Sequence, residues 1–200
     1  AESSYVVWTP LNGVVSMGQL DAPRFLHTAT AVEAPGGNRA DPLVLLTGGE
    51  HSGGMAQSMM VFHPVSGTFE LPPISLPNPR TMHSTSYVEG RDFLYLMGGF
   101  SDTERTTLVS QIDVMQVSSR VFHKTTAFGL RVPRAAHVGA TLTQNRVVVC
   151  GGITHTNQGF IPLSDGEIIF EDRDPATGDL RVNIGVTETM PEARFMHRGA

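Results

Sequence analysis

The chain has 200 residues, 40% of them hydrophobic and 16% charged, enough to bury a core in one large domain or two small ones. A net charge of −5 gives no global support to nucleic-acid binding, and no apolar run approaches the roughly 18–20 residues that span a bilayer. The single cysteine, Cys150, excludes an intrachain disulfide, and no Asn-x-Ser/Thr sequon occurs; both favour a reducing, cytoplasmic setting.

In chain order, "YVVWTPLNGVV" at 5–15 reads as strand, turn, strand. "RFLHTATAV" follows from Arg24, and then the apolar run "LVLLTGG" at 43–49. "MMVFHPVSGTFEL" at 59–71 again reads as a hairpin, with Pro-x-Ser-Gly as its turn. The same order returns with "RTMHSTSYV" from Arg80, "FLYLMGG" at 93–99 and "DVMQVSSRVFH" at 113–123. It returns again with "RAAHVGATL" from Arg134, "VVVCGG" at 147–152 and "IIFEDRDPATGDL" at 168–180. "RFMHRGA" from Arg194 opens one more copy.

Arg24, Arg80, Arg134 and Arg194 are spaced by 56, 54 and 60 residues, and each is followed three residues later by His27, His83, His137 or His197. Gly49, Gly99 and Gly152 are spaced by 50 and 53. Each repeat thus holds four short strands, A to D: A carries Arg-x-x-His, B ends in Gly-Gly, and C and D form the hairpin. No helix is expected, because apolar positions alternate or run for only four to seven residues between glycines and prolines.

These segments resemble kelch repeats over almost the whole chain. The resemblance implies an all-β fold: a kelch-type β-propeller of four-stranded antiparallel blades. The blades are bounded at 1–22 (partial), 23–78, 79–132, 133–192 and 193–200. The fifteen strands amount to about 3.7 blades, fewer than kelch propellers usually have, so the expectation is a piece of a larger propeller in a longer single chain. The tryptophan that kelch repeats usually carry in the last strand is replaced by Val15, Phe69, Phe122 and Leu180.

In a propeller, strand A lies innermost and needs small side chains. It has Thr28, Ala29 and Thr30, then Ser84, Thr85 and Ser86, then Gly139 and Ala140, then Gly199 and Ala200. Strand B is covered on both faces and reads as a continuous apolar run. The diglycine meets the need for backbone angles and close approaches that a Cβ forbids. Phosphate cradling would need a helix to follow, and none is expected.

The four histidines occupy equivalent places in successive repeats, so they form a ring and do not converge on a metal. No metal and no cofactor is expected. Galactose oxidase is a kelch-like copper enzyme with a Tyr-Cys cross-link. Only Tyr5, Tyr87 and Tyr95 are present, and Cys150 ends a B strand, so the likeness does not extend to that chemistry. Arg24, Arg80 and Arg134 begin strand A near one channel mouth. They fit either an acidic peptide or phosphate, or a repeated structural salt bridge or backbone contact. The B–C loops vary while the strands repeat, which is how a rigid scaffold presents recognition residues. Their candidates are Glu50, His51, Ser101, Asp102, Arg105, His155 and Asn157, with Glu104 and Gln158 beside them.

The resemblance implies a non-catalytic scaffold or substrate adaptor that binds a protein partner through its B–C and D–A loops, with no membrane association. A second implication comes from "APRFLHTATAV" and "PLSDGEIIFEDRD", which are similar to segments of the tryptophan-poor kelch propellers of wybutosine-synthesising tRNA methyltransferases. On that reading catalysis lies outside this chain, and tRNA is met only indirectly. A third is an enzyme acting at the channel mouth, as in kelch-like sialic acid epimerases.

Overall fold

The computed structural model describes residues 4–20, 23–34, 38–123, 129–143, 145–173 and 180–196. The fold is all-β with several antiparallel sheets; a single 3₁₀ turn at Glu89–Arg91 is the one helical element among the described residues. Sheet I is a hairpin of β1 (Ser4–Thr9) and β2 (Gly13–Gln19). Sheet II orders β3 (Thr28–Ala34), β4 (Asn38–Thr47), β7 (Ser58–His63) and β8 (Thr68–Phe69), with β9 (Ile74–Ser75) added beside β7. Between β4 and β7 lies a short ribbon of β5 (Glu50–His51) and β6 (Gly54–Met55).

Sheet III orders β10 (Ser84–Val88), β11 (Phe93–Met97), β12 (Ile112–Gln116) and β13 (Val121–His123). Sheet IV orders β14 (Val138–Leu142), β15 (Arg146–Cys150), β18 (Gly166–Arg173) and β19 (Leu180–Val186). A second ribbon, β16 (Ile153–Thr156) with β17 (Gly159–Pro162), separates β15 from β18. The repeat of four strands read from the sequence is therefore present in sheets II, III and IV. The two ribbons are additions that the loop reading did not contain. Three of the four residues of Ile153–Thr156 are β-branched, and a turn at Asn157–Gln158 folds the strand back on Gly159.

The sheets stack face against face. Leu43, Leu45, Met59 and Val61 of sheet II pack on Leu94, Leu96 and Met115 of sheet III. Phe93, Tyr95, Met97 and Val114 of sheet III pack on Val147, Val149, Ile169 and Val182 of sheet IV. Strand β11 is covered from both sides, and all five of its residues are buried. At about 1.5–3 kcal/mol per fully buried large apolar side chain, such strands anchor the stack. β15 instead alternates buried with less buried residues, because no described sheet covers its other face.

The A strands β3, β10 and β14 lie side by side. Thr30 and Thr85 share a hydroxyl hydrogen bond, and the Thr141 hydroxyl donates to the Tyr87 carbonyl at 2.7 Å. Of the residues read as small and innermost, Thr28, Ala29, Thr30, Ser84, Thr85 and Gly139 line a common cavity of about 660 Å³, together with His27, His83 and His137. His197, Gly199 and Ala200 lie outside the described residues. Val15, Phe69, Phe122 and Leu180 all fall in the last strand of their repeats, as read.

Each diglycine joins two neighbouring repeats. Gly98 has φ +60° and Gly99 φ +95°. A Cβ on Gly98 would stand 2.4 Å from the Arg134 carbonyl oxygen, and one on Gly99 2.5 Å from that of Thr81. The Gly99 N–H donates to the Arg134 carbonyl at 2.8 Å, as Gly49 does to Arg80 at 2.9 Å and Gly152 to Arg194 at 2.7 Å. The residue before each repeated histidine is also left-handed: Leu26, Met82, Ala136 and Met196 have φ between 52° and 55°. Their backbones form a chain of hydrogen bonds from Met82 to Leu26, Ala136 to Met82 and Met196 to Ala136.

Candidate functional site

In the first three repeats the arginine of Arg-x-x-His is buried, while Arg194 of the fourth is exposed. Arg80 and Arg134 are fully covered, and Arg24 nearly so. The Arg80 guanidinium donates to the carbonyls of Gly98 and Gln111 and pairs with Asp113. Arg134 donates to Gly151, pairs with Glu167 at 2.9 Å and reaches Asp165 at 3.1 Å. Arg24 donates to the carbonyls of Gly48 and Ser58. These guanidinium groups are covered and bonded within their own sheets. The structural alternative is the one these contacts describe.

Burial dominates the Arg80–Asp113 pair. It lowers the Arg80 guanidinium despite the Asp113 charge, and it raises the Asp113 carboxyl despite Arg80, Asn78 and Gln111. Asp113 and Glu167 occupy the same register, opposite Leu96 and Val149 on their B strands. That shared position is the signal by which the sequence could have paired them with the arginines. Sheet II has Met60 there, so Arg24 uses Ser58.

The histidines bridge repeats. His83 Nε2 lies 3.2 Å from the Thr28 hydroxyl, and His137 Nε2 lies 2.8 Å from that of Ser84. Burial lowers the His83 imidazole well below its ordinary value, and Arg80, His137 and His27 add to this; burial and Arg24 lower His27. Cys150 is half-buried, and burial raises its thiol. Among the described residues no three His, Cys, Asp or Glu side chains cluster as metal ligands would. None of the described helical segments is long and apolar enough to cross a membrane.

The B–C connections come together at one end of the stack. Glu50, at the start of the β5–β6 ribbon, is buried and accepts from Arg105 of the next repeat at 3.0 Å. Arg105 also donates to the Thr103 carbonyl. Asp102 accepts from the Thr106 and Thr107 N–H groups at 2.8 and 2.7 Å. Slight burial would raise its carboxyl, but those N–H groups outweigh it and the net shift is downwards. The Ser101 N–H donates to the Thr107 carbonyl at 3.0 Å. His51 accepts from the Gly53 N–H at 2.9 Å.

A second link joins the next two repeats. The exposed His155 ring meets Phe160 edge-on at 5.2 Å, and Phe160 meets the buried Phe100 at 5.7 Å. Phe160 remains 47% exposed, and Asn157 stands exposed at the ribbon turn. Of the residues singled out in the sequence, the fold brings Glu50 to Arg105. His155 meets Phe160, which in turn meets Phe100 of the neighbouring repeat. Phe100 and Phe160 were not singled out; for Phe100 its place directly after Gly98-Gly99 was the available cue.

Comparison with models of protein families finds no match for this chain, and comparison with curated proteins finds none either.

Proposed function

We propose that the chain is a kelch-type β-propeller segment, with sheets II, III and IV as its blades, and that it is a non-catalytic scaffold binding a protein partner. Two four-stranded sheets and a third with four strands in the same order plus β9, their A strands adjacent, a shared polar cavity and diglycine junctions support the propeller part of this reading. The B–C loops are the binding face, with the D–A connections beside them.

One observation carries the functional part. The Glu50–Arg105 pair and the Phe100–Phe160 contact fasten the B–C connections of three consecutive repeats into one continuous surface. That surface presents exposed Phe160 and His155 beside a partly exposed Arg105. Aromatic and arginine side chains held by a rigid scaffold are the usual anchors of protein recognition.

The test is a partner captured by cross-linking, purified, and rebound to the pure chain. Phe160→Asp is expected to weaken that binding about tenfold or more, while Ser119→Asp, on the remote C–D turn, leaves it unchanged. A partner that responds to Ser119→Asp and ignores Phe160→Asp would show that the loop face is not the binding face.

A further inference from the structure

Strand parity gives every sheet two different faces. In sheets II and III, the second residue before the last B-strand position is Leu45 or Tyr95, and each is covered by the following sheet. The residues on either side in β11, Leu94 and Leu96, are covered by the preceding sheet. Interior contacts therefore always join a forward face to a backward face. Sheet I obeys the same rule: Tyr5 points forward, against Phe62 at 4.7 Å and Phe69 at 5.7 Å, and its hydroxyl donates to the Gly67 carbonyl.

Two such faces have no neighbour among the described residues. The backward face of sheet I carries the cross-strand pairs Val6–Met17 and Trp8–Val14, with Trp8 62% and Met17 72% exposed. The forward face of sheet IV carries Val148 opposite Ile168 and, in the next row, Leu142 and Phe170 on either side of the exposed Arg146. Val148 stands in the register of Leu45 and Tyr95, which are fully buried, yet it is only half-buried. The aligned residues in sheet II, Met60 and Phe62 for Val6 and Trp8, are buried. Contiguous apolar surface of this kind marks an interaction site.

We propose that these two faces dock on each other between two copies of the chain, head to tail, with the backward face of sheet I seated on the forward face of sheet IV of a second copy. The contact continues the interface already repeated inside the stack, forward face against backward face, so it needs no new kind of packing. It joins unlike surfaces, so it is heterologous and leads either to a closed ring or to an open string of copies. Like faces do not pair, because the stack contains no such junction to extend.

Trp8 is the only tryptophan, so it reports this contact alone. Sedimentation velocity and Trp8 emission are measured together over a concentration series. The wild-type chain is expected to gain mass and shift its emission to the blue with rising concentration. Met17→Asp blocks the backward face, and Phe170→Asp blocks the forward face. Each variant alone needs about tenfold more protein, or more, to associate. An equimolar mixture of the two forms a one-to-one pair and grows no further, since each partner keeps one working face. Leu142→Asp repeats the forward-face test should Phe170→Asp unfold, which far-UV circular dichroism checks. A wild-type chain that stays monomeric with Trp8 in water overturns the proposal, as does a single-face variant that associates like wild type.

Discussion

His137 Nε2 stands 2.8 Å from the hydroxyl of Ser84, a residue 53 positions earlier on the neighbouring A strand. The pair is buried and ties sheet IV to sheet III at the cavity that the A strands line. Replacing His137 by Ala leaves the Ser84 hydroxyl without this partner, at a cost of about 1–3 kcal/mol. Urea unfolding measures the loss, and His137→Gln, which keeps a donor and an acceptor, is expected to recover part of it.

His83 makes the fold sensitive to acid. Its folded imidazole titrates well below the ordinary 6.5, because burial and the charges of Arg80, His137 and His27 oppose protonation. A folded value below the unfolded one means that the unfolded chain binds the proton first. Stability is then full above about pH 6.5 and falls below it, by up to about 1.4 kcal/mol per pH unit, until the folded group itself titrates. His27 shifts in the same direction. Denaturant midpoints between about pH 7 and 5 are expected to fall, and less steeply in His83→Gln. An identical slope in wild type and variant would contradict this account.

Desolvation makes the buried Arg80–Asp113 pair a weak net source of stability. Burial works against the charge on both partners. Asp113→Ala leaves a covered guanidinium without its counter-ion and is expected to cost about 3–5 kcal/mol. The double variant Arg80→Met with Asp113→Leu removes both charges and is expected to regain most of that loss. A double-mutant cycle in urea separates the two effects.

The diglycines are intolerant for two separable reasons. Gly98→Ala meets both a left-handed backbone and the Arg134 carbonyl, so about 3 kcal/mol or more is expected. Gly13 has a similar φ of +68° but nothing within 4 Å of a built Cβ. Gly13→Ala should therefore cost only the backbone penalty of about 1–2 kcal/mol. Thermal or urea unfolding of the two variants side by side checks the difference.

Much of the architecture was legible in the residues. The spacing of Arg24, Arg80 and Arg134, the recurring Gly-Gly and the apolar B strands mark units of four strands, and sheets II, III and IV carry them. The loop face was legible only as a list. Sequence variation pointed to Glu50, Arg105 and His155, but nothing in it paired Glu50 with Arg105 across 55 positions or inserted Phe160 between His155 and Phe100. The arginines were ambiguous for a related reason. A guanidinium is equally at home facing an acidic partner or a buried carboxylate, and Asp113 and Glu167 lie 33 residues downstream of Arg80 and Arg134.

Period, strand type and the need for glycine at the junctions are properties of short stretches, because alternation, β-branching and backbone freedom act within a few residues; these could be read from the chain alone. Which faces are covered, which charges are buried and which loops share a surface depend on how successive sheets stack, and no local pattern carries that. Val148 and Tyr95 make the point: they hold the same register in the same kind of strand, yet Tyr95 is buried and Val148 is not, because a sheet packs over only one of them.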